Sequence, residues 1–197
     1  MTFLTQLAKR RSIYCIGNNI DMHNNDLEHL ILQAIRLSPS SFNSQSSRAV
    51  ILFDQSHLKF WDMVFDRLSH MIPAEALPRT KSKIECFSMG KGTVLFYEDQ
   101  HVIKQLQQQY SSYAAGFPIW SEHSTAMAQF AVWLALTEHN IGASLQHYGM
   151  LVEQQVSQEF SIPTHWSLSA QLVFGSIEDV AKEKTFIDDH LRFKTFD

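Results

Sequence analysis

The sequence predicts one domain over residues 1–197, of α+β or α/β class, with helical layers around a single central sheet. Three observations carry this reading. Apolar residues recur with the helical period in several stretches, and those stretches outnumber the strand-like ones. Two short apolar runs, Ala49–Phe53 and Thr93–Tyr97, have the length and continuity of strands covered on both faces. No internal repeat, low-complexity tract or linker rich in Gly, Pro or Ser divides the chain, and its length suits one domain.

The elements follow in order. Phe3–Lys9 places Phe3, Leu4, Leu7 and Ala8 on one helical face, with Thr2 as N-cap. A second helix runs from Asp26 to Leu37 on the spacing of Leu27, Leu30, Ile31, Ala34 and Ile35. Asn25 and Glu28 are set as a capping box there. Ser38-Pro39 ends it, because a residue before proline is pushed out of the helical region. After the Ala49–Phe53 strand, Ser56 is placed to cap a helix bearing Leu58, Trp61, Val64, Phe65 and Leu68. Pro73 and Pro78 break up the next segment, and Gly90-Lys91-Gly92 reads as a turn before the Thr93–Tyr97 strand. Val102, Ile103 and Leu106 suit a helix. Gly116 and Pro118 argue for a loop through Tyr110–Trp120.

The longest helix is expected from about Ser121 to His139, apolar nearly all round and therefore covered on both sides. Ala143–Tyr148 reads as a strand, Val152–Phe160 as a short helix and Leu168–Phe174 as a last strand. The tail Leu191–Phe196 alternates like one.

Composition excludes several functions. The chain has 45% hydrophobic and 18% charged residues, and a net charge of −4 leaves no electrostatic reserve for nucleic acid. Its N-terminus is apolar before it is basic, the reverse of a signal peptide. Ala126–Leu136 is about half a membrane span. Two cysteines 71 residues apart form no framework and fit a reducing cytoplasm. No P-loop, G-x-G-x-x-G, H-E-x-x-H or G-x-S-x-G is present, so neither a metal site nor a catalytic nucleophile is expected. Asp188-Asp189-His190 reads as a solvated turn.

Three polar clusters remain. Arg10-Arg11-Ser12 follows the first helix, and two guanidiniums with a hydroxyl suit a phosphate, although basic residues also satisfy a helix C-terminus. Ser38–Arg48 holds six serines, Asn43 and Gln45 in eleven residues. Such hydroxyls and carboxamides offer donors and acceptors to a flat heterocycle, or to water. Arg192 and Lys194 share a face if the tail is a strand.

Together, in this order and at these separations, the clusters resemble the flavin site of the nitroreductase family. The resemblance is carried by Arg10-Arg11-Ser12, by Ser38-Pro39-Ser40-Ser41-x-Asn43-Ser44-Gln45, by Gly142–Tyr148 and by Arg192-x-Lys194, over essentially the whole chain. Arg-Arg-Ser-Ile-Tyr, Phe117–His123 and Leu145–Tyr148 are similar to the branch containing the yeast fatty-acid-repression proteins and bacterial relatives.

The resemblance implies a three-layer α/β/α sandwich around a mostly antiparallel sheet, in an intertwined homodimer with FMN at the interface. It implies phosphate binding by Arg10, Ser12, Arg192 and Lys194, with Arg11 also touching the cofactor. Ser40, Ser41, Asn43 and Gln45 would reach the ring and ribityl chain from the partner copy, with Gln146, His147 and Tyr148 beside the ring. Phe42, Phe117 and Trp120 would line the groove in which NAD(P)H and a nitroaromatic, quinone or peroxide acceptor alternate. Many relatives carry a cation two residues after the serine of the first motif. Tyr14 stands there, so that charge must come from Arg11, or from Lys81 or Lys83. A slow regulatory flavoprotein and a cofactor-free dimeric interaction module are alternatives.

Overall fold

The computed structural model describes residues 2–197. Its helices are α1 (Phe3–Lys9), α2 (Asn24–Leu37), α3 (Asp54–Ser69), α4 (Leu77–Ser88), α5 (Gln100–Gln109), α6 (Phe117–Glu138), α7 (Gly149–Glu159) and α8 (Asp189–Arg192). The strands are β1 (Ile16–Gly17), β2 (Ser47–Phe53), β3 (Gly92–Asp99), β4 (Gly142–Gln146) and β5 (Trp166–Ile177).

The sheet is mixed in order but antiparallel in its ladders. β3 lies between β2 and β5, and the far edge of β5 pairs first with β4 and then with β1. One isolated parallel bridge joins Ser12 to Ala143. Strand alternation sends side chains to two cores. Leu95, Tyr97 and Val173 face Phe60, Trp61, Phe87, Val152 and Val156 of α3, α4 and α7. Val94, Phe96, Leu172 and Phe174 face Leu27, Ile31, Val132 and Leu136 of α2 and α6. Helices, sheet and helices make the three layers expected.

Local differences from the expectations have physical causes. Thr2 caps α1 by accepting from the Thr5 amide at 3.3 Å, and Ser38 ends α2. The capping box at Asn25 does not form, because α2 begins two residues earlier with His23 as N-cap. Ser56 lies inside α3, whose N-cap is Phe53. Pro78 starts α4 rather than breaking a segment, and Pro118 starts α6 inside the expected loop. Proline fits the first helical turn, where its missing N–H has no partner anyway. β4 ends at Gln146, leaving His147 outside the strand and Tyr148 as the N-cap of α7. The tail forms the short α8 rather than a strand, so the shared-face argument for Arg192 and Lys194 fails.

Glycine serves close packing here. A Cβ on Gly175 would stand 2.2 Å from the Gly17 carbonyl, so only glycine lets β1 pair with β5. No glycine among the described residues has positive φ, whereas Phe42, Asn43, Gln45, Asp54, Asn140 and Ser161 do.

Candidate functional site

The first cluster is fixed by packing on α6. Gln6 Nε2 donates to the Leu134 carbonyl at 3.2 Å, and the Arg10 guanidinium lies 4.4 Å above the Trp133 ring. Burial lowers the Arg10 pKa, and the neighbouring Arg11 charge lowers it further. Arg11 donates to the Lys182 carbonyl, which brings the start of the tail alongside. Ser12 bridges Ala143, and the Ile13 amide donates to the Ala143 carbonyl at 3.0 Å. A Cβ on Gly142 would meet Ile13 and Ile177 at about 3 Å, so its absence admits this close approach. The arginine cluster and β4 are thereby brought together.

Among the described residues no carboxylate lies within 4.0 Å of Arg10, Arg11, Arg192 or Lys194. The indole N–H of Trp133, beneath Arg10, is buried without a hydrogen-bond partner. Two adjacent cations with no carboxylate beside them make an anion-receptive corner.

The serine-rich loop is an unusual backbone rather than a plain connection. Ser41–Asn43 forms one 3-10 turn, with φ of 56° at Phe42, 51° at Asn43 and 48° at Gln45. Three left-handed residues in four positions, none glycine, store strain of about 1–3 kcal/mol each. The fold holds them by specific bonds. The Ser40 hydroxyl accepts from the Gln45 amide at 2.9 Å, and the Ser124 hydroxyl of α6 accepts from the Ser41 amide at 3.2 Å. Arg48 Nη1 donates to the Gln45 carbonyl at 2.5 Å. A cleft of about 290 Å³ opens beside Ser38, Ser40, Gln45, Arg48 and Ser124.

Phe42 projects into an aromatic group. Its ring centroid is 4.9 Å from Tyr110, 5.2 Å from Phe117 and 6.3 Å from Trp120, with the last nearly parallel at 14°. Of the three expected groove residues, Phe117 is buried while Phe42 is exposed. Asn43 and Gln45 are exposed as well.

Beyond β4, Gln146 is buried and donates to the Ser144 hydroxyl at 3.1 Å. The Tyr148 amide donates to Gln171 Oε1 at 2.6 Å, and Gln171 Nε2 is buried without a partner. Lys83 Nζ stands 5.6 Å above the Tyr148 ring, whereas Lys81 pairs with Glu85 at 3.8 Å. His147 is exposed.

Within one chain these groups are not one site. Arg10 and Ser41 contact α6 at Trp133 and Ser124, positions about 13 Å apart at 1.5 Å per residue. Arg192 lies over its own neighbour Phe193, and no hydrogen bond or ion pair joins it or Lys194 to Arg10, Arg11 or Ser12 among the described residues. The sequence assigns no site role to Trp133, Ser124, Arg48 or Gln171. Gln171 alone carries a signal, as a carboxamide interrupting an apolar strand.

This α/β/α sandwich, with a basic corner and a strained hydroxyl-rich loop on one long helix, has the architecture of a family of oxidoreductases. Residues 7–176 match the nitroreductase family, and the chain belongs to it. It is 34% identical to the Saccharomyces cerevisiae nitroreductase FRM2 over 193 residues, 95% of this chain and 94% of FRM2. It is also 34% identical to HBN1 of the same yeast over 188 residues, 94% and 93% of the two chains. The nitroreductase CinD of Lactococcus lactis, in complex with chloramphenicol, superposes with a TM-score of 0.92 at 42% identity over all of both chains. Further CinD structures hold nicotinic acid or 4-nitrophenol.

Proposed function

We propose that the protein binds FMN and passes reducing equivalents from NAD(P)H to a nitroaromatic, quinone or peroxide acceptor, as a homodimer with both copies contributing to each site. The observation that carries this is the Arg10–Arg11 corner, which no carboxylate neutralises among the described residues. That corner fits a phosphate dianion, and the exposed Asn43 and Gln45 carboxamides fit the ring edge. When bound, FMN supplies the hydride and electron chemistry. The chain's part is to hold the ring, exclude water and offer one groove to donor and acceptor in turn.

The nitroaromatic acceptor is supported by the two nitroarenes that CinD structures hold, and the nicotinamide donor by the pyridine carboxylic acid held in another. The second copy is supported by Ile119, Met127 and Phe130, exposed on α6, and by the exposed Phe186, Ile187, Leu191, Phe193 and Phe196 of the tail. Large apolar side chains left exposed in this number suit association with a second copy.

The test begins with flavin bands in the visible spectrum of the purified protein and anaerobic reduction by NADH and NADPH. Arg192→Ala and Lys194→Ala should each weaken FMN by about one to two decades, since a charge-assisted bond contributes roughly 1.5–3 kcal/mol. Unchanged FMN affinity in both variants removes the tail from the site. A flavin-loaded species sedimenting as the 22.7 kDa monomer overturns the shared site.

A further inference from the structure

A separate cluster lies where β3 passes into α5. The Asp99 amide donates to the Ser46 carbonyl at 3.0 Å, and the Gln100 amide donates to the His165 carbonyl at 2.9 Å. Asp99 also pairs in register with Trp166. These backbone bonds set His165 beside Asp99, although the two are far apart in sequence. Asp99 is 6% exposed, and its carboxylate is held in a fixed orientation. Oδ1 accepts from the amides of His101 and Val102 at 3.0 and 3.4 Å, and Oδ2 pairs with Arg48 Nη2 at 2.9 Å.

Two imidazoles complete the group. His165 Nε2 lies 3.8 Å from Asp99 Oδ1. The His101 and His165 rings stack with centroids 4.0 Å apart and planes within 3°. Among the described residues no ring nitrogen of either histidine makes a hydrogen bond within 3.5 Å. One ligand atom from each of Asp99, His101 and His165 lies within 4.8 Å of the others.

We propose that Asp99, His101 and His165 bind a divalent transition-metal ion. Two nitrogens and one carboxylate oxygen suit Zn²⁺ or Ni²⁺, and do not suit Mg²⁺, which prefers oxygen ligands. Tetrahedral coordination at about 2.0–2.1 Å brings ligand atoms roughly 3.3 Å apart, so donors now within 4.8 Å of one another must close by up to about 1.5 Å. His101 is exposed and His165 is half-buried, so both rings can swing while Asp99 stays fixed. Water fills the remaining positions. The two backbone amides and Arg48 orient the carboxylate ligand, as outer partners do in metal sites. The same arginine also holds the Gln45 carbonyl, so the ion would share its carboxylate with a side chain that shapes the strained loop.

The experiment is calorimetric titration of the full-length, untagged, flavin-loaded protein with Zn²⁺, Ni²⁺ and Mg²⁺. One Zn²⁺ or Ni²⁺ per chain is expected, with no matching Mg²⁺ event. His101→Ala and His165→Ala should each weaken that event at least tenfold, and the double variant should abolish it. Melting midpoints without metal should match the parent, since His101 is exposed and His165 half-buried, neither in a core. Zn²⁺ binding by the double variant with parental affinity and stoichiometry would overturn the proposal by locating the ion elsewhere. So would no Zn²⁺ binding by the parent at millimolar concentration, or Mg²⁺ binding equal to Zn²⁺.

Discussion

Replacing His57 by Gln should flatten the acid limb of the stability profile. His57 sits on α3 and is 1% exposed, between two hydrogen bonds. The Thr93 hydroxyl accepts from Trp61 Nε1 at 3.0 Å, which leaves its proton for His57 Nδ1 at 2.9 Å. His57 Nε2 then donates to the Ser88 carbonyl at 3.2 Å. The network thus assigns a neutral imidazole, and a second ring proton would compete with the hydroxyl proton of Thr93. Burial dominates the opposition to charge, outweighing the carbonyls of Ser88 and Phe87 and the charge of Asp54, and takes the pKa from 6.5 to about 4. At roughly 1.4 kcal/mol per unit, charging this group in the folded protein costs about 3 kcal/mol more than in the unfolded chain. The unfolded chain takes up the proton first as pH falls through 6.5, so stability is lost between 6.5 and 4. At pH 5 the loss is about 2 kcal/mol, or roughly 4–8 °C of melting temperature for a chain of this size. Gln offers an acceptor to Thr93 and a donor to Ser88 without titrating. The assay is thermal melting at fixed protein concentration from pH 7.5 to 4.5, parent against His57→Gln. A variant that loses as much between pH 7 and 5 as the parent would refute the assignment.

Two further outcomes follow from buried groups. Glu98 is fully buried, with Oε1 bonded to Ser47 at 2.9 Å and Oε2 unpartnered, and burial raises its pKa above 4.5. The folded state therefore holds this proton more tightly, and its contribution is lost as pH rises from 4.5 through the folded value. Glu98→Gln should accordingly gain stability at pH 8 relative to pH 5, as read by urea denaturation at both. Gln171→Leu strands the Tyr148 amide, which should cost about 1–3 kcal/mol and raise hydrogen exchange at Tyr148 and Gly149 first.

The layers were legible because their cause is periodic. Leu27 and Ile31 carry the helical stripe of α2, and Val94–Tyr97 carry a run that only a covered strand tolerates. By contrast, α6 is apolar on so many sides that its periodicity does not mark the buried face, which holds Val132 and Leu136 while Met127 and Phe130 are exposed. α4 escaped because Pro78 reads as a breaker unless the next turn is known to be helical, and its apolar anchors Ile84 and Phe87 are sparse. The two-residue β1 has no local signal, since its pairing depends on Gly175 across the sheet. Composition exposed the serine-rich loop. Nothing in a phenylalanine codes for φ of 56°, so the backbone of that loop is set by Ser124, Arg48 and the aromatic group around Phe42. Asp99 and His165 meet only through strand register, which no spacing rule reveals.

The chain's use of glycine has an evolutionary side. With its glycines in close contacts and none of them at positive φ among the described residues, left-handed corners fall to residues that hold them at about 1–3 kcal/mol each. At Asn140 and Asp54 the side chain offsets that cost by accepting from Lys9 and Asn24. In the loop at Phe42, Asn43 and Gln45 the strained conformation is itself what presents the carboxamides. Ser161 does neither, being exposed with no side-chain bond among the described residues. Glycine there would release the strain and return only about 0.5–1 kcal/mol to unfolded-chain entropy. The molecule thus keeps an unclaimed margin at the end of α7, open to drift or to engineering without touching the loop.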